Sequence, residues 1–282
     1  MSSEPTLHAT VINMIPKEAV TVRATQGHQA HAAFLHTIRE VDPDLSKALH
    51  DTASGTRPFT LSNLRGARRV GRGQLRLSPR DDLWLRLTVL HPRIQRMFMG
   101  RFLAGSGGPT MRLGHATLAV RAVIATPEGH PWSGYATWQE IVAAARPEPE
   151  ITLAFVAPTA FSFGQQPWGK KIIVLPRPDL VFDSLVRTWN AYAPPDLQME
   201  RDALRAYLGN HTVIKRIDKL RTHMLRFKRS MQVGFTGRVT YGLMADNEIA
   251  RVQLNALADA AFYLGVGYKT TMGLGQCRRE RQ

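Results

Sequence analysis

The sequence has a single cysteine, no long apolar run and few acidic residues. One cysteine, Cys277, cannot close a disulfide within the chain, which excludes a small disulfide-stapled fold. No stretch of about 18 consecutive apolar residues is present, which excludes a membrane-spanning helix. The N-terminus has no charged segment followed by an apolar one, so we expect no secretion signal, a cytoplasmic location and no membrane partner.

Motifs for metals and cofactors are also missing. The sequence has no C-x-x-C pair, no H-E-x-x-H and no obvious group of carboxylates that would hold two magnesium ions. It has no G-x-x-x-x-G-K-[ST] loop for a nucleoside triphosphate. A dinucleotide fingerprint starting at Gly265 would need a glycine where Thr270 stands. We therefore expect no cofactor and no metal ion.

Positive charge is what the sequence has in excess. It contains 37 Lys and Arg residues against 22 Asp and Glu, a formal net charge of +15. Lys and Arg side chains that neutralise phosphates release counterions, so this imbalance favours a polyanionic partner. The alternative is that the charge only keeps the protein in solution, and +15 exceeds what a small domain usually carries for that purpose.

The positive charges are clustered along the chain. Six arginines and no acid lie between Arg65 and Arg80, together with three glycines, which is typical of a flexible basic loop or a hairpin. Residues 215–229 contain seven Lys or Arg residues and a single acid. Phosphate contacts position a nucleic acid without reading its bases. We expect such contacts from Arg65, Arg68, Arg69 and the 215–229 segment.

Hydrophobic periodicity predicts the same succession of elements twice. The order strand, helix, strand, strand, helix, strand is that of a ferredoxin-like unit. In the first half these elements cover residues 7–14, 27–39, 58–64, 83–90, about 91–104 and about 115–125. After a charged, proline-containing break at 146–150, the second half has elements at 151–157, 180–192, 213–229, 232–243, 247–264 and from about 273. We predict an α+β fold of two tandem ferredoxin-like (RRM-like) domains, residues 1–147 and 148–282.

One tryptophan has an unusual sequence context. Most of the five tryptophans are expected in the core or at interfaces, as large aromatic side chains usually are. Trp168 instead lies between Pro167 and the Gly169-Lys170-Lys171 segment, which makes it the one to consider as a platform for a nucleobase.

The segment Gly265–Gln276, GVGYKTTMGLGQ, is the most informative stretch of the chain. It combines four glycines with a lysine and two threonines, between a predicted helix and a predicted strand. Glycines let the backbone approach a ligand closely, and exposed amides with a lysine and hydroxyl groups can surround phosphate oxygens. An ordinary turn from helix to strand explains the same composition equally well.

Five segments, in order along the chain, resemble a known family. GVGYKTTMGLG resembles the C-terminal glycine-rich loop, and RPFTLSNL the N-terminal strand signature, of the sixth family of CRISPR-associated repeat-cleaving endoribonucleases, in the RAMP superfamily. All five similar segments are residues 57–64, 153–161, 174–194, 234–243 and 265–275. The resemblance extends over nearly the whole chain, which makes it more specific than the glycine-rich loop alone.

The resemblance implies a pair of RAMP domains that bind the repeat of a CRISPR transcript and cut it once per repeat into guide crRNAs. In that family the 2′-hydroxyl of the RNA attacks the adjacent phosphorus without a metal ion, leaving a 2′,3′-cyclic phosphate and a 5′-hydroxyl. The implied partners are repeat RNA, crRNA and other Cas effector-complex subunits. The implied RNA-binding loop residues are Gly265, Gly267, Lys269, Thr270, Thr271, Gly273 and Gly275.

Histidines are the candidate proton-transfer groups, because an imidazole ordinarily has a pKa near 6.5. The resemblance points first to His50, in KALHD, and second to His31, in AHAAFL. His36 is a third candidate, but five residues turn it about 140° away from His31 on a helix, so the two are not expected to serve one site together. Arg57 stands where some family members have a lysine and is the candidate for stabilising the phosphorane charge. The alternative for each histidine is a surface or capping role.

Two other functions stay open at this point. A catalytically silent RAMP subunit that binds crRNA in an effector complex would also use the basic segments and the glycine-rich loop. His31 and His50 favour the nuclease, since binding alone does not require them. A general nucleic-acid-binding protein without a role in CRISPR systems is disfavoured by the five ordered segments.

Overall fold

The computed structural model describes residues 6–50, 56–71, 73–103, 109–227 and 231–281, and the chain divides into two compact units. The first unit is formed chiefly by residues 1–136 and also takes in Thr271–Gly273 near the C-terminus. The second is formed chiefly by residues 137–270 and by the residues from Leu274 onward. No helix in the described ranges has the length and apolar character needed to cross a membrane.

The first unit has an antiparallel sheet and two crossover helices. Within the described residues the sheet order is β3-β6-β1-β8-β7, and β9 also pairs with β1. The four core strands β3, β6, β1 and β8 follow the ferredoxin-like pattern, with α1 and α3 as the connecting helices. The elements are β1 (Leu7–Pro16), β2 (Val20–Arg23), α1 (Gly27–Arg39), α2 (Pro43–His50), β3 (Phe59–Leu61), β4 (Arg68–Arg69), β5 (Gln74–Leu77), β6 (Leu83–Val89), α3 (Pro92–Leu103), β7 (Thr110–Leu113), β8 (Ala116–Ile124) and β9 (Gly134–Ala136).

The second unit repeats this arrangement. Its main sheet has the order β13-β14-β10-β15. In chain order, β10, β13, β14 and β15 correspond to β1, β3, β6 and β8 of the first unit, so the two sheets have the same strand order. The crossover helices are α5 and α7. The elements are α4 (Trp138–Ala144), β10 (Glu150–Thr159), β11 (Phe161–Gln166), β12 (Gly169–Ile173), α5 (Pro178–Tyr192), α6 (Arg201–His211), β13 (Thr212–Arg226), β14 (Met231–Leu243), α7 (Glu248–Leu264) and β15 (Cys277–Glu280), with 3-10 turns at Pro195–Leu197 and Thr270–Met272.

The predicted α+β fold with two ferredoxin-like domains is confirmed, and α1 has the predicted bounds. Short elements were not predicted: α2, α4, α6, the three-stranded sheet β2-β5-β4 and the hairpin β11-β12. The arginine-rich stretch after Arg65 forms the hairpin β4-β5. Helix α4 lies before the predicted boundary at residue 147 but belongs to the second unit, where the Trp138 and Trp189 rings meet edge-on at 4.9 Å.

Helix α1 is fixed in the first unit by its apolar face. Phe34, on this face, lies 4.5 Å from Phe59 of β3 and 5.8 Å from Phe98 of α3, measured between ring centroids. Burial of each Phe side chain contributes about 1.5–3 kcal/mol. His31 lies on the same buried face, three residues before Phe34, so the core also determines where its imidazole is held.

Candidate functional site

His31 is a buried histidine with a defined tautomer. Its side chain is on the buried face of α1, and its ring stacks on Phe59 with 5.6 Å between centroids. The Nδ1 atom lies 3.3 Å from the carbonyl oxygen of Thr271. A carbonyl only accepts hydrogen bonds, so Nδ1 carries the hydrogen and Nε2 carries the lone pair of the neutral ring. In this tautomer Nε2 can accept a proton.

The surroundings of His31 keep its imidazole neutral. Burial is the main cause that lowers its pKa from 6.5 to about 4, and the positive charge of Arg57 is the second. His28 and His50 lower the pKa further, whereas the hydrogen bond to Thr271 raises it. Two other predicted residues, Arg57 and His50, are therefore near enough for their charges to act on His31.

Arg57 connects this neighbourhood to the end of α2. Its Nε donates to the carbonyl of Leu49 at 3.1 Å, and its Nη2 donates to the carbonyl of His50 at 2.9 Å. The last carbonyls of a helix have no partner within the helix, and an arginine there also interacts favourably with the helix dipole. Arg57 therefore fixes the position of the His50 backbone while its charge acts on His31.

The segment Thr271–Gly273, which contains the carbonyl that faces His31, packs on Asn63 and Gly27. The Asn63 side chain accepts a hydrogen bond from the Gln26 N–H at 3.1 Å and donates one to the Gly273 carbonyl at 3.0 Å. It thereby joins the start of α1 to the Thr271–Gly273 segment. A Cβ added to Gly27 would lie 1.7 Å from the carbonyl oxygen of Met272, so only glycine permits this approach. Sequence reasoning assigned no role to Asn63, although it lies in the RPFTLSNL signature.

The other two candidate histidines are exposed. His50 is the last residue of α2 and faces solvent beside Arg57. His36 lies elsewhere on α1: its Nδ1 accepts from Arg39 at 3.1 Å, and its Nε2 lies 3.6 Å from the Glu40 carboxylate. Both ring nitrogens of His36 thus face partners on the solvent side of the helix. The charge of His50 acts on His31, whereas the contacts of His36 are with Arg39 and Glu40.

The glycines of the C-terminal loop serve the packing of the loop on the protein. The N–H groups of Gly265, Gly267 and Gly275 donate to protein oxygens at 2.8–3.1 Å. A Cβ added to Gly267 or Gly275 would lie 2.4 or 2.1 Å from a main-chain oxygen. Gly273, with φ 89°, contacts the Asn63 side chain. The amides of Gly265, Gly267 and Gly275 are thus engaged within the protein, which differs from the predicted amide cradle.

The polar residues of this loop have different surroundings. Thr271 is buried at 4% exposure, and its carbonyl serves His31. Thr270 and Lys269 are half-buried, and Lys269 has the left-handed φ of 57°. Burial, and then the charge of Lys170, lower the pKa of the Lys269 ammonium. Two neighbouring cations repel each other, and an anion bound between them removes this repulsion. A phosphate group could supply that anion.

The predicted arginines lie in or next to the sheet β2-β5-β4. Arg68 and Arg69 are exposed on β4, and Arg68 stands directly opposite Arg76 of β5. Like charges directly opposite each other destabilise a strand pair, and a polyanion would relieve that repulsion. Arg65 is half-buried: its backbone pairs with Trp84, and burial lowers the pKa of its guanidinium. Arg72 lies outside the described residues.

Several other cations are paired with acids inside the second unit. The Arg279 side chain is 5% exposed and lies 2.6 Å from Glu148. In the basic segment 215–229, Lys215 pairs with Glu150 and Arg216 lies 3.0 Å from Asp218. The last two residues of that segment, at 228–229, lie outside the described residues. The net charge of the chain therefore overstates the charge available to a ligand in this unit.

Metal ligands are not assembled in the described part of the chain: it contains no group of three or more His, Cys, Asp or Glu side chains that could hold an ion. The sole cysteine, Cys277, is buried, and burial raises the pKa of its thiol far above its usual range. A thiolate nucleophile at this position is therefore disfavoured.

His31 should make the free energy of unfolding sensitive to pH. Its folded-state pKa of about 4 lies below the 6.5 of an ordinary histidine, so the unfolded chain binds a proton first as the pH falls. The stability is fully present above about pH 6.5 and is lost as the pH falls towards about 4. At about pH 5 we expect a loss of about 2 kcal/mol from this residue.

Urea unfolding of the wild type and of His31→Gln at about pH 7 and about pH 5 measures this effect, because glutamine does not titrate. We expect the wild type to lose more stability than the variant between the two conditions. Equal losses would show that His31 is not kept neutral by the fold.

Two family models match this chain, one in each half. The model described as the CRISPR Cas6 N-terminal domain matches residues 6–143. The model described as the CRISPR-associated endoribonuclease Cas6 matches residues 153–277. A search of curated proteins gives no match.

Solved structures of similar proteins extend over the full chain. A product complex of Thermus thermophilus Cas6 is 28% identical, with a TM-score of 0.82, and the match covers 98% of this chain and 100% of that one. A product complex of a second Cas6 protein is 29% identical, with a TM-score of 0.75, covering 98% of this chain and 99% of that one. A Cas6-related protein from Pyrococcus furiosus, 14% identical, has a TM-score of 0.63 over 98% of this chain and 99% of that one, which shows a shared fold.

Proposed function

Because this chain belongs to the Cas6 family of CRISPR-associated endoribonucleases, we propose that it cuts CRISPR repeat RNA by internal transesterification. The 2′-hydroxyl beside the scissile bond attacks the phosphorus, the P–O5′ bond breaks, and the products carry a 2′,3′-cyclic phosphate and a 5′-hydroxyl. The nucleophile belongs to the substrate, so the protein must supply a base, an acid and positive charge. The geometry of His31 is the observation that carries this proposal.

His31 is the proposed general base. Its Nδ1–H donates to the Thr271 carbonyl, which fixes the tautomer in which Nε2 accepts the proton of the 2′-hydroxyl. A base must be unprotonated, and burial together with Arg57 satisfies this at neutral pH by lowering the pKa of His31 to about 4. A bound phosphodiester adds a negative charge that opposes the effect of Arg57, so substrate binding raises the pKa towards the range of an efficient base.

His50 and Arg57 are the proposed partners of His31 in the reaction. Once the base takes the proton from the 2′-hydroxyl, the leaving 5′-oxygen needs a proton from a second group. His50 is the predicted histidine that lies beside Arg57, and it is exposed to an incoming substrate. The Arg57 guanidinium has five N–H donors, and its bonds to the Leu49 and His50 carbonyls use two of them. The positive charge of the guanidinium stabilises the extra negative charge of the phosphorane.

Cations in both units are proposed to hold the RNA. Arg68 and Arg69 of the small sheet and Lys269 of the C-terminal loop are the residues whose surroundings best suit phosphates. Similar solved structures include a Cas6 product complex, a Cas6 substrate-mimic complex and a Cas6 mutant with one histidine replaced by alanine. Product and substrate-mimic complexes of similar Cas6 proteins support a substrate-binding role for this chain as well.

Cleavage without a divalent metal tests the proposed chemistry. We expect the protein to cut its repeat RNA at the same rate in EDTA as with added magnesium, because no step needs a metal ion. Mass spectrometry of the 5′ product should find a 2′,3′-cyclic phosphate. A repeat RNA that has one 2′-deoxynucleotide at the cleavage site is the matched control: it should bind and stay intact. Cleavage of the deoxy substrate, or cleavage only with metal, would exclude this mechanism.

A further inference from the structure

The hairpin β11-β12 exposes aromatic side chains. Trp168, at its tip, is 72% exposed, and Phe163, on β11, is 46% exposed. Large aromatic side chains normally bury most of their surface, and exposed apolar groups with polar neighbours are typical of binding surfaces. Phe161, two residues before Phe163, is buried and contacts Phe235, so the base of the hairpin is anchored to the core of the second unit.

Lysines lie against aromatic rings on and beside this hairpin. The Lys171 Nζ lies 5.4 Å from the centre of the Phe163 ring, and the Lys170 Nζ lies 4.9 Å from the centre of the Tyr268 ring. Such cation–π contacts hold an ammonium group next to a ring. The hairpin sequence FSFGQQPWGKKII contains these two lysines and no acid, so its charge is purely positive.

The exposed rings and the lysines of the hairpin β11-β12 together indicate which class of ligand it binds. A partner must offer flat apolar faces to the exposed rings and negative charge to the lysines. Nucleotides combine both, since every base has a π-face and every linkage a phosphate. In the interior of a duplex the base faces are already stacked on one another, so unpaired nucleotides have far more free faces to stack on Trp168 or Phe163.

We propose that the hairpin β11-β12 is a binding site for unpaired RNA, in which bases stack on Trp168 and Phe163 while Lys170 and Lys171 contact the phosphates. The inference rests on the proposed function in one respect: it takes RNA to be the ligand class. It assigns the hairpin to single-stranded segments of the transcript, a role separate from the reaction at His31.

Fluorescence anisotropy with two RNA probes tests this site. One probe is an unstructured RNA of about 12 nucleotides made of alternating C and A, and the other is a blunt duplex of the same length. We expect Trp168→Ala to weaken binding of the single strand about fivefold or more, with a change below about twofold for the duplex. Trp168→Phe should retain most of the single-strand affinity, because phenylalanine keeps a stacking face.

Ile249→Ala is the matched control, because Ile249 is 73% exposed on α7 and is also in the second unit. It should leave both affinities unchanged. A second readout uses the wild type against Trp168→Phe: the single strand should quench the tryptophan emission of the wild type more strongly. Unchanged single-strand affinity in Trp168→Ala, or equal losses for both probes, would overturn the proposal.

Neither probe contains a repeat, and no cleavage is measured, so this test is separate from that of the proposed function. A protein that cuts repeat RNA but shows no Trp168 effect contradicts only the hairpin site. A protein with the Trp168 effect that leaves repeat RNA intact contradicts only the proposed nuclease.

Discussion

Replacing His31 by alanine should lower the single-turnover cleavage rate of repeat RNA by about two to four orders of magnitude, the usual contribution of general acid–base catalysis. The variant removes Nε2, the proposed acceptor of the 2′-hydroxyl proton. It does not change the cations that are proposed to bind the RNA. We therefore expect the affinity for repeat RNA to change little. A loss in rate with constant affinity is the signature of a group that acts in the transition state.

The control is His36→Ala, a second histidine removed from the same helix. The ring nitrogens of His36 face Arg39 and Glu40 on the solvent side of α1, so its loss should change the rate less than about twofold. Rapid-quench assays at saturating enzyme measure both variants with one substrate. A His31→Ala enzyme that cuts at the wild-type rate would remove His31 from the mechanism.

His50→Ala distinguishes the proposed acid from the proposed base. A 5′-thio leaving group departs readily without a proton, so this substrate should restore most of the rate in a variant that lacks only the acid. We expect rescue in His50→Ala and no rescue in His31→Ala. The opposite pattern would exchange the two assignments and leave the reaction itself unchanged.

The contacts around His31 show how far the sequence alone could predict this site. Periodicity predicts α1 with its correct bounds, and the resemblance ranks His50 first and His31 second among ten histidines. The partner of its Nδ1 lies 240 residues away in the chain, and local patterns carry no information about such a contact. The sequence therefore predicts RNA binding for Thr271 but not the contact of its carbonyl with His31.

Elements that depend on distant pairing were missed for a similar reason. The strands of the β2-β5-β4 sheet are four, four and two residues long, too short to show an alternation of apolar and polar positions. The structure shows how these strands pair: Thr21 of β2 and Arg68 of β4 both lie opposite Arg76 of β5, one on each side. The arginine-rich composition indicates a basic loop or a hairpin, but it does not predict that β2 pairs with this hairpin as a third strand.

Gly27→Ala should impair both the fold and the reaction. The added Cβ would lie 1.7 Å from the Met272 carbonyl oxygen and 2.9 Å from the Gly273 nitrogen, and neither backbone atom can rotate away as a side chain would. Either α1 or the Thr271–Gly273 segment must shift, which separates the Thr271 carbonyl from the His31 ring. We expect the free energy of unfolding to fall by about 2–3 kcal/mol, in the upper range for overpacked interiors.

A displacement of about 1 Å at a catalytic group can cost 100-fold in rate, so we expect cleavage by Gly27→Ala to slow by about 10- to 100-fold where the protein is still folded. Gly100→Ala in α3 is the matched control: an added Cβ there has no neighbour within 4 Å, and alanine is the better helix former. It should leave the rate unchanged and the stability equal or up to about 1 kcal/mol higher. Urea unfolding and single-turnover cleavage measure the two effects on each variant. If Gly27→Ala matched Gly100→Ala in both, the close contact between α1 and the C-terminal loop would not be what positions His31.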